Sequence, residues 1–186
     1  MTRLLGIAGS LRRGSFNAAL LHNAAELLPD GVSLEVRTLH GIPLYDADEE
    51  AEHGLPAAVT ALKDAIASAD GVILSTPEYN NGIPGVFKNA IDWASRPPAD
   101  TRKVFAGRPF AIVGASPGGF GTIMSQNHWL PVLRALGVDL WTGGSMMVSR
   151  AGQALNADGQ IEDPERREQL RNFLADFAKF ATRGGD

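Results

Sequence analysis

Short continuous apolar runs alternate along this chain with longer stretches in which apolar residues recur every third or fourth position. Leu4-Leu5-Gly6-Ile7-Ala8, Val72-Ile73-Leu74-Ser75 and Pro109 to Ala115 are continuous and of strand length, as in parallel strands buried on both faces. Val32 to Val36 alternates instead, the mark of a half-buried strand. Val138 to Trp141 and Ser145 to Val148 read as two further strand pieces joined at Gly143-Gly144. Helical spacing runs from Phe16 to Leu28, from Leu55 to Ala69 and from Thr122 to Leu136. Pro84 is placed to open a helix through Val86, Phe87, Ala90, Ile91 and Trp93. Asp163-Pro164 initiates a last one, with Leu170, Phe173, Leu174, Phe177 and Phe180 on its buried face. Two stretches carry no such pattern. Residues 98–108 read as a polar connector. Residues 38–56, with Pro43, Tyr45, Pro56 and five acidic residues, read as a long irregular connection, either functional or a disordered acidic surface loop.

Strand and helix alternate about five times, which implies an α/β domain spanning residues 1–186, with a parallel sheet covered on both faces. In such sheets ligands bind beyond the carboxyl ends of the strands, where the winding reverses. Three unusual turns, at 9–17, 76–83 and 116–121, each follow a strand. All three therefore fall on one edge of the sheet.

The bulk properties narrow the partners. A chain of 186 residues with 44% hydrophobic and 20% charged residues is an ordinary globule. Its net charge of −4 and the absence of a basic stripe argue against nucleic acid. With no cysteine, disulfides and thiolate metal sites are excluded. His22, His40, His53 and His128 are scattered without ligand spacing, so no metal is assigned. No apolar run reaches membrane-spanning length and no signal peptide is evident. The expectation is a soluble cytoplasmic protein.

The first turn, Gly9-Ser10-Leu11-Arg12-Arg13-Gly14-Ser15-Phe16-Asn17, lies between a strand and a helix. That order aims backbone N–H groups and the positive end of the helix dipole at one point, where an anion can sit. Ser10, Ser15 and Asn17 add neutral donors, and Arg12 or Arg13 charged ones. Ser15 stands where a nucleoside-triphosphate loop needs lysine, and Leu11 where the dinucleotide fingerprint needs its second glycine. What remains is a single terminal phosphate, as in a flavin mononucleotide. A solvated turn capped by Ser15 would carry the same residues. In the second turn, Tyr79 offers a flat face to an aromatic ring, and the asparagine- and glycine-rich backbone offers donors to its edge. In the third, Gly118 and Gly119 allow close backbone approach to a planar ligand. A phosphate cradle with two ring-contacting turns describes an FMN site.

These residues resemble the NADPH-dependent FMN reductases of flavodoxin-like fold, which include quinone, chromate and azo-dye reductases. The resemblance rests on Gly9-Ser10-Leu11-Arg12, Ser15 and Asn17, on Pro77-Glu78-Tyr79-Asn80, and on Gly82-Ile83-Pro84-Gly85 with Lys88-Asn89-Ala90-Ile91-Asp92-Trp93. It covers roughly residues 3 to 148. It implies a five-stranded doubly wound sheet of order 2-1-3-4-5. It also implies that Ser10, Arg12, Ser15, Asn17 and the Phe16 amide hold the phosphate, and that Pro77, Glu78, Tyr79 and Asn80 line the flavin ring. Ser116, Gly118 and Gly119 would close its other end. Hydride would pass from NADPH (or NADH) through FMN to a small acceptor: a flavin, quinone, azo dye or chromate-like oxidant. No side chain need act as a nucleophile, so no catalytic residue is assigned.

The remaining candidates carry local alternatives. Glu78 more readily orders backbone or pairs with an arginine than acts as an acid. Lys88 and Asp92, four apart, suit an exposed ion pair worth ~0.5 kcal/mol. Arg96 and Arg150 are candidate contacts for the dinucleotide phosphate. Thr122, Gln126, Asn127 and His128 stand where many relatives carry basic or aromatic residues that join an oligomer. A homodimer is therefore expected before a homotetramer, with Val86 and Trp93 either at its interface or plain core. The competing reading is a flavodoxin-like electron carrier that does not oxidise NADPH. A net charge of −4 with 17 basic residues supports its acidic docking face poorly.

Overall fold

The computed structural model describes residues 1–183. The elements in chain order are β1 (Thr2–Ala8), α1 (Phe16–Glu26), β2 (Val32–Arg37), α2 (Ala47–His53), α3 (Ala57–Ser68), β3 (Gly71–Ser75) and α4 (Gly85–Ala94). After a 3-10 turn at Pro98–Asp100 come α5 (Thr101–Val104), β4 (Pro109–Ala115), α6 (Ile123–Leu136), β5 (Asp139–Leu140), β6 (Met146–Val148), α7 (Ala151–Ala154) and α8 (Pro164–Thr182). All strand pairs are parallel, in the order β2-β1-β3-β4-β5, with β6 also on β4. This is the flavodoxin-like sheet, its fifth position divided. β5 lies beside Pro109 and Phe110, and β6 beside Val113 to Ala115. Between them the chain leaves the sheet, and Trp141 packs edge-on against Phe173 of α8, with ring centroids 4.8 Å apart.

Two apolar layers cover the sheet. One joins Leu20, Leu21 and Ala24 of α1 to Leu170, Phe173, Leu174 and Phe177 of α8. The other joins Leu62 and Ile66 of α3, Phe87 and Ile91 of α4, and Trp129 and Leu133 of α6. β3 is buried along its whole length, as its unbroken apolar run requires. The winding passes from β1 outward to β2 and then back across to β3. The reversal falls between β1 and β3, where a crevice opens at their carboxyl ends.

The two unpatterned stretches are more ordered than the sequence indicates. Residues 38–56 contain α2, whose N-cap Asp46 accepts from the Asp48 N–H. The loop before it is fixed to α4: the Tyr45 N–H donates to Asn89, and both the Asn89 amide and the Trp93 indole donate to the Pro43 carbonyl, at 2.8–2.9 Å. Residues 98–108 are a connector with its own turn of helix, and Val104 and Phe105 are buried beneath it. Lys88 donates to both Asp92 oxygens at 2.7 and 2.8 Å, as its spacing predicts. No helix among the described residues is long and apolar enough to cross a membrane.

Candidate active site

The turns after β1, β3 and β4 meet around a cleft of about 280 Å³. It is lined by Ser10, Arg12, Ser15, Phe16, Asn17, Pro77, Glu78, Tyr79 and Ser116 from the expected set, with Gly14, Ala115 and Pro117 besides. Asn80, Gly118 and Gly119 lie outside its walls.

The phosphate end is built from the start of α1. The Ser15 hydroxyl caps the helix by accepting from the Ala18 N–H at 3.2 Å. The Ser10 hydroxyl accepts from the Arg12 N–H at 3.2 Å and from the Tyr79 hydroxyl at 3.4 Å. Both serine oxygens are thus held by protein donors, which leaves their protons for an anion. Among the described residues nothing accepts from the backbone N–H groups of Phe16 and Asn17, the unfilled donors of a helix start. The Arg12 guanidinium lies over the Phe16 ring, 5.6 Å from its centre, and has no carboxylate partner among the described residues. Two unfilled amides, two hydroxyl donors and an unpaired cation at a helix N-terminus fit a phosphate monoester.

Asn17 is placed differently from the expectation. Both polar atoms of its buried side chain are engaged within the protein: Nδ2 donates to the Ala115 carbonyl at 2.9 Å, and Oδ1 accepts from the Ala115 N–H at 3.0 Å. Its backbone N–H, not its amide side chain, is the group left without an acceptor at the cradle.

The ring end is a hairpin. Tyr79 and Gly82 exchange backbone hydrogen bonds at 3.2 and 3.0 Å. Asn80 and Asn81 form its two-residue loop with φ of 50° and 61°, the geometry that asparagine tolerates better than most residues. Asn80 therefore forms the turn itself, and Tyr79 is left leaning toward the first turn with half its surface exposed. Glu78 orders backbone, as expected: its Oε2 accepts from the Met124 and Ser125 N–H groups at 2.9 and 3.1 Å, at the N-terminus of α6. Beneath it lies a buried trio that local sequence gives no sign of. The Trp129 indole donates to the Thr76 hydroxyl at 3.1 Å, and that hydroxyl lies 2.8 Å from the Ser125 hydroxyl. The ring turn is thereby fixed to α6.

The third turn is tied to α7 through Arg150 N–H to Gly118 O and Ala151 N–H to Ser116 O, at 2.8 and 2.9 Å. A Cβ on Gly118 or Gly119 would meet nothing within 4 Å. The protein's own packing does not call for glycine there, and the open backbone can admit a planar group. Gly9 is the opposite case. A Cβ there would lie 2.1 Å from Phe87 Cδ1 and 2.8 Å from Pro77 Cδ, so the first turn can rest against the ring turn only with glycine.

Two other expectations resolve structurally. Trp93 is core, with its ring edge-on to Tyr45 at 4.8 Å. Arg96 is paired with Glu50 at 2.7 Å, and that hydrogen bond raises the guanidinium above its ordinary value. Its guanidinium is thus already engaged within the fold through Nε. Burial raises the neighbouring Tyr45 hydroxyl, and its hydrogen bond to Glu50 adds to this. The Arg150 side chain makes no hydrogen bond or ion pair among the described residues and remains a candidate.

A larger cleft of about 400 Å³ lies at the opposite edge of the sheet, beside Asp70, Arg108 and Asp139. Its central cation is already occupied: Arg108 donates to the carbonyls of Val104 and Ala69, and burial pushes its guanidinium below the ordinary value. Among the described residues no group of three or more His, Asp or Glu side chains converges on a metal position.

The chain resembles known proteins over nearly its whole length. The chain is 45% identical over 172 residues to an NAD(P)H-dependent FMN reductase of Pseudomonas aeruginosa, covering 92% of this chain and 91% of that one. It is 39% identical to a 2-hydroxy-1,4-benzoquinone reductase of a Burkholderia species, covering 92% of each. Among solved structures, the NAD(P)H:(acceptor) oxidoreductase of Paracoccus denitrificans superposes with a TM-score of 0.85 at 32% identity, covering 98% of both chains. The model of the NADPH-dependent FMN reductase family matches residues 2–153, and the chain belongs to that family of FMN-dependent NAD(P)H oxidoreductases.

Proposed function

We propose that this FMN-dependent NAD(P)H oxidoreductase reduces small quinones, with the twelve residues named from the sequence forming or framing its flavin site. The observation that carries the site is the cradle at the start of α1, with its unfilled amides beside an unpaired Arg12. Support for the acceptor comes from the benzoquinone reductase relative and from the half-exposed Tyr79 ring at the cleft mouth, a flat surface open to a planar oxidant.

Bound FMN supplies the hydride-accepting and hydride-donating chemistry. Ser10, Ser15, the Phe16 and Asn17 amides and Arg12 bind its phosphate. Pro77 and Tyr79 orient its ring, and the glycines at 118 and 119 admit it edge-on. Glu78 acts indirectly, by holding α6 against the ring turn. Arg150, whose side chain makes no hydrogen bond or ion pair among the described residues, is the candidate contact for a dinucleotide phosphate, and NADPH is preferred to NADH on the family's pattern.

The working form is a homodimer of single-domain subunits in the cytoplasm. Exposed large apolar residues support the dimer: Leu44 is 83% exposed, Phe120 78% and Met124 42%. Sedimentation equilibrium of the FMN-loaded protein tests it, and a monomer at micromolar concentration overturns it.

The test of function is an anaerobic titration of the FMN-loaded protein, followed by its visible spectrum. Loss of flavin absorbance with NADPH, then its return with one equivalent of benzoquinone, is expected. Flavin that stays oxidised with both NADPH and NADH overturns the reductase reading in favour of a carrier. Flavin reoxidised by azo dye or chromate but not by quinone removes the quinone assignment alone.

A further inference from the structure

We infer that the Asn17 side chain sets the three flavin turns in register with one another, acting on the cofactor by position while only the backbone N–H of this residue faces the phosphate. The inference rests on the flavin-site reading and goes beyond it. Asn17 is 3% exposed and sits in the first turn of α1, two residues after the cap Ser15. Its side chain reaches the last residue of β4 and, through Ser75, the last residue of β3. The third turn starts immediately after Ala115, and the ring turn starts immediately after Ser75. One amide therefore touches the root of each.

The need for an amide follows from how β3 leaves the sheet. The β3–β4 register sets Ser75 opposite Val113, so a continuing ladder would bring Pro77 opposite Ala115. The chain departs there instead, and Pro77 has no N–H to offer. The Ala115 N–H and C=O would be left unpaired in a buried place, each at a cost of ~1–3 kcal/mol. Asn17 supplies both missing partners, Nδ2–H to the carbonyl at 2.9 Å and Oδ1 to the N–H at 3.0 Å. The Ser75 hydroxyl lies 3.0 Å from the Asn17 carbonyl and 3.1 Å from its Oδ1. It bonds the same residue from the β3 side. Among side chains of this length only asparagine donates and accepts in one plane as a backbone amide does.

A positioning residue and a phosphate ligand differ in what they do to riboflavin, which lacks the phosphate. The experiment measures dissociation constants of FMN and riboflavin for wild type, Asn17→Ala and Ser75→Ala by quenching of flavin fluorescence. Visible circular dichroism of each flavin-saturated protein is recorded as well. Asn17→Ala is expected to weaken both ligands by the same factor, about tenfold or more, and to alter the dichroism of the bound ring. Ser75→Ala removes one hydroxyl and no phosphate contact; it is expected to move both ligands together by a smaller factor. It carries the test if Asn17→Ala does not fold. Leu133→Ala, a core truncation on α6, serves as a control that lowers the melting temperature without changing the saturated spectrum. Loss of FMN affinity alone, with riboflavin unmoved, overturns the inference in favour of direct phosphate binding. An unaltered spectrum in a variant that is merely less stable also overturns it, leaving a structural role. Wild type that binds neither flavin would overturn the site reading itself, and would be seen before any variant is made.

Discussion

Gly9→Ala is the sharpest test of how the flavin turns pack. The new methyl would lie 2.1 and 2.6 Å from Phe87 Cδ1 and Cε1 and 2.8 Å from Pro77 Cδ, where carbon atoms in contact rest at about 3.5–4.0 Å. The ring must therefore retreat by more than an ångström. It has no room to do so: Phe87 is fully buried and packs edge-on to Trp129 with centroids 5.0 Å apart. Overpacking of this kind costs ~1–3 kcal/mol, and this contact belongs at the upper end. Alanine recovers ~0.4–1 kcal/mol by restricting the unfolded chain. The net loss is about 2 kcal/mol, a fall in melting temperature of about 4–8 °C for a chain this size. Thermal unfolding of the flavin-free protein reads the effect directly. The displaced ring turn should also weaken FMN in a separate titration. A melting temperature within about 1 °C of wild type, with FMN affinity unchanged, would refute the packing argument.

Gly118→Ala makes the complementary case: its methyl meets nothing within 4 Å, so the flavin-free protein should melt as wild type while FMN binds more weakly. Tight FMN binding by that variant would show that the flavin lies farther off. Arg12→Ala should cost ~1.5–3 kcal/mol of FMN affinity and leave riboflavin unchanged; equal effects on both ligands would remove Arg12 from the phosphate. Glu78→Gln keeps an acceptor for the α6 amides but loses the charge, and should lower the denaturant midpoint by the equivalent of ~0.5–1 kcal/mol. A midpoint that does not move would sink the capping role. Asp100 is held below the usual carboxylate range by its hydrogen bond from the buried Lys63 and by that charge. Its folded value lies under its unfolded one, so its contribution is complete at neutral pH and is lost as pH falls through the folded value. The stability gap between wild type and Asp100→Asn should therefore narrow below about pH 4. A gap that stays constant into acid would refute the assignment.

What could be read from sequence was whatever repeats locally. β4 opens on a proline, is apolar throughout and stops before Ser116-Pro117, and the observed bounds Pro109–Ala115 coincide with the apolar run. The turns at 9–17 and 76–83 could be recognised because their chemistry is contiguous. α2 could not: none of its residues is buried, so no apolar stripe marks it, and only its caps and charges hold it. α5 is a single turn of four residues, too short for a helical pattern to recur. The bonds that hold the site together join residues far apart in the chain. Asn17 reaches Ala115 across 98 positions, Trp129 reaches Thr76 across 53, and Arg96 reaches Glu50 across 46. Local spacing says nothing about such pairs. Sequence alone therefore leaves the Asn17 side chain open to a ligand and Arg96 to a dinucleotide, whereas in the fold each side chain already has a partner.

The divided fifth strand has a consequence for how copies of the chain behave at high concentration. The outer border of a sheet is a template for strand addition when it offers an unbroken row of N–H and C=O groups. Here that row comes in pieces of two and three residues, Asp139–Leu140 and Met146–Val148, with Trp141 turned inward between them. The other border, β2, alternates Ser33, Glu35 and Arg37 along its length, with Glu35 and Arg37 paired to each other. Neither border offers a long, uncharged run for another strand to extend, so the sheet resists polymerising edge to edge.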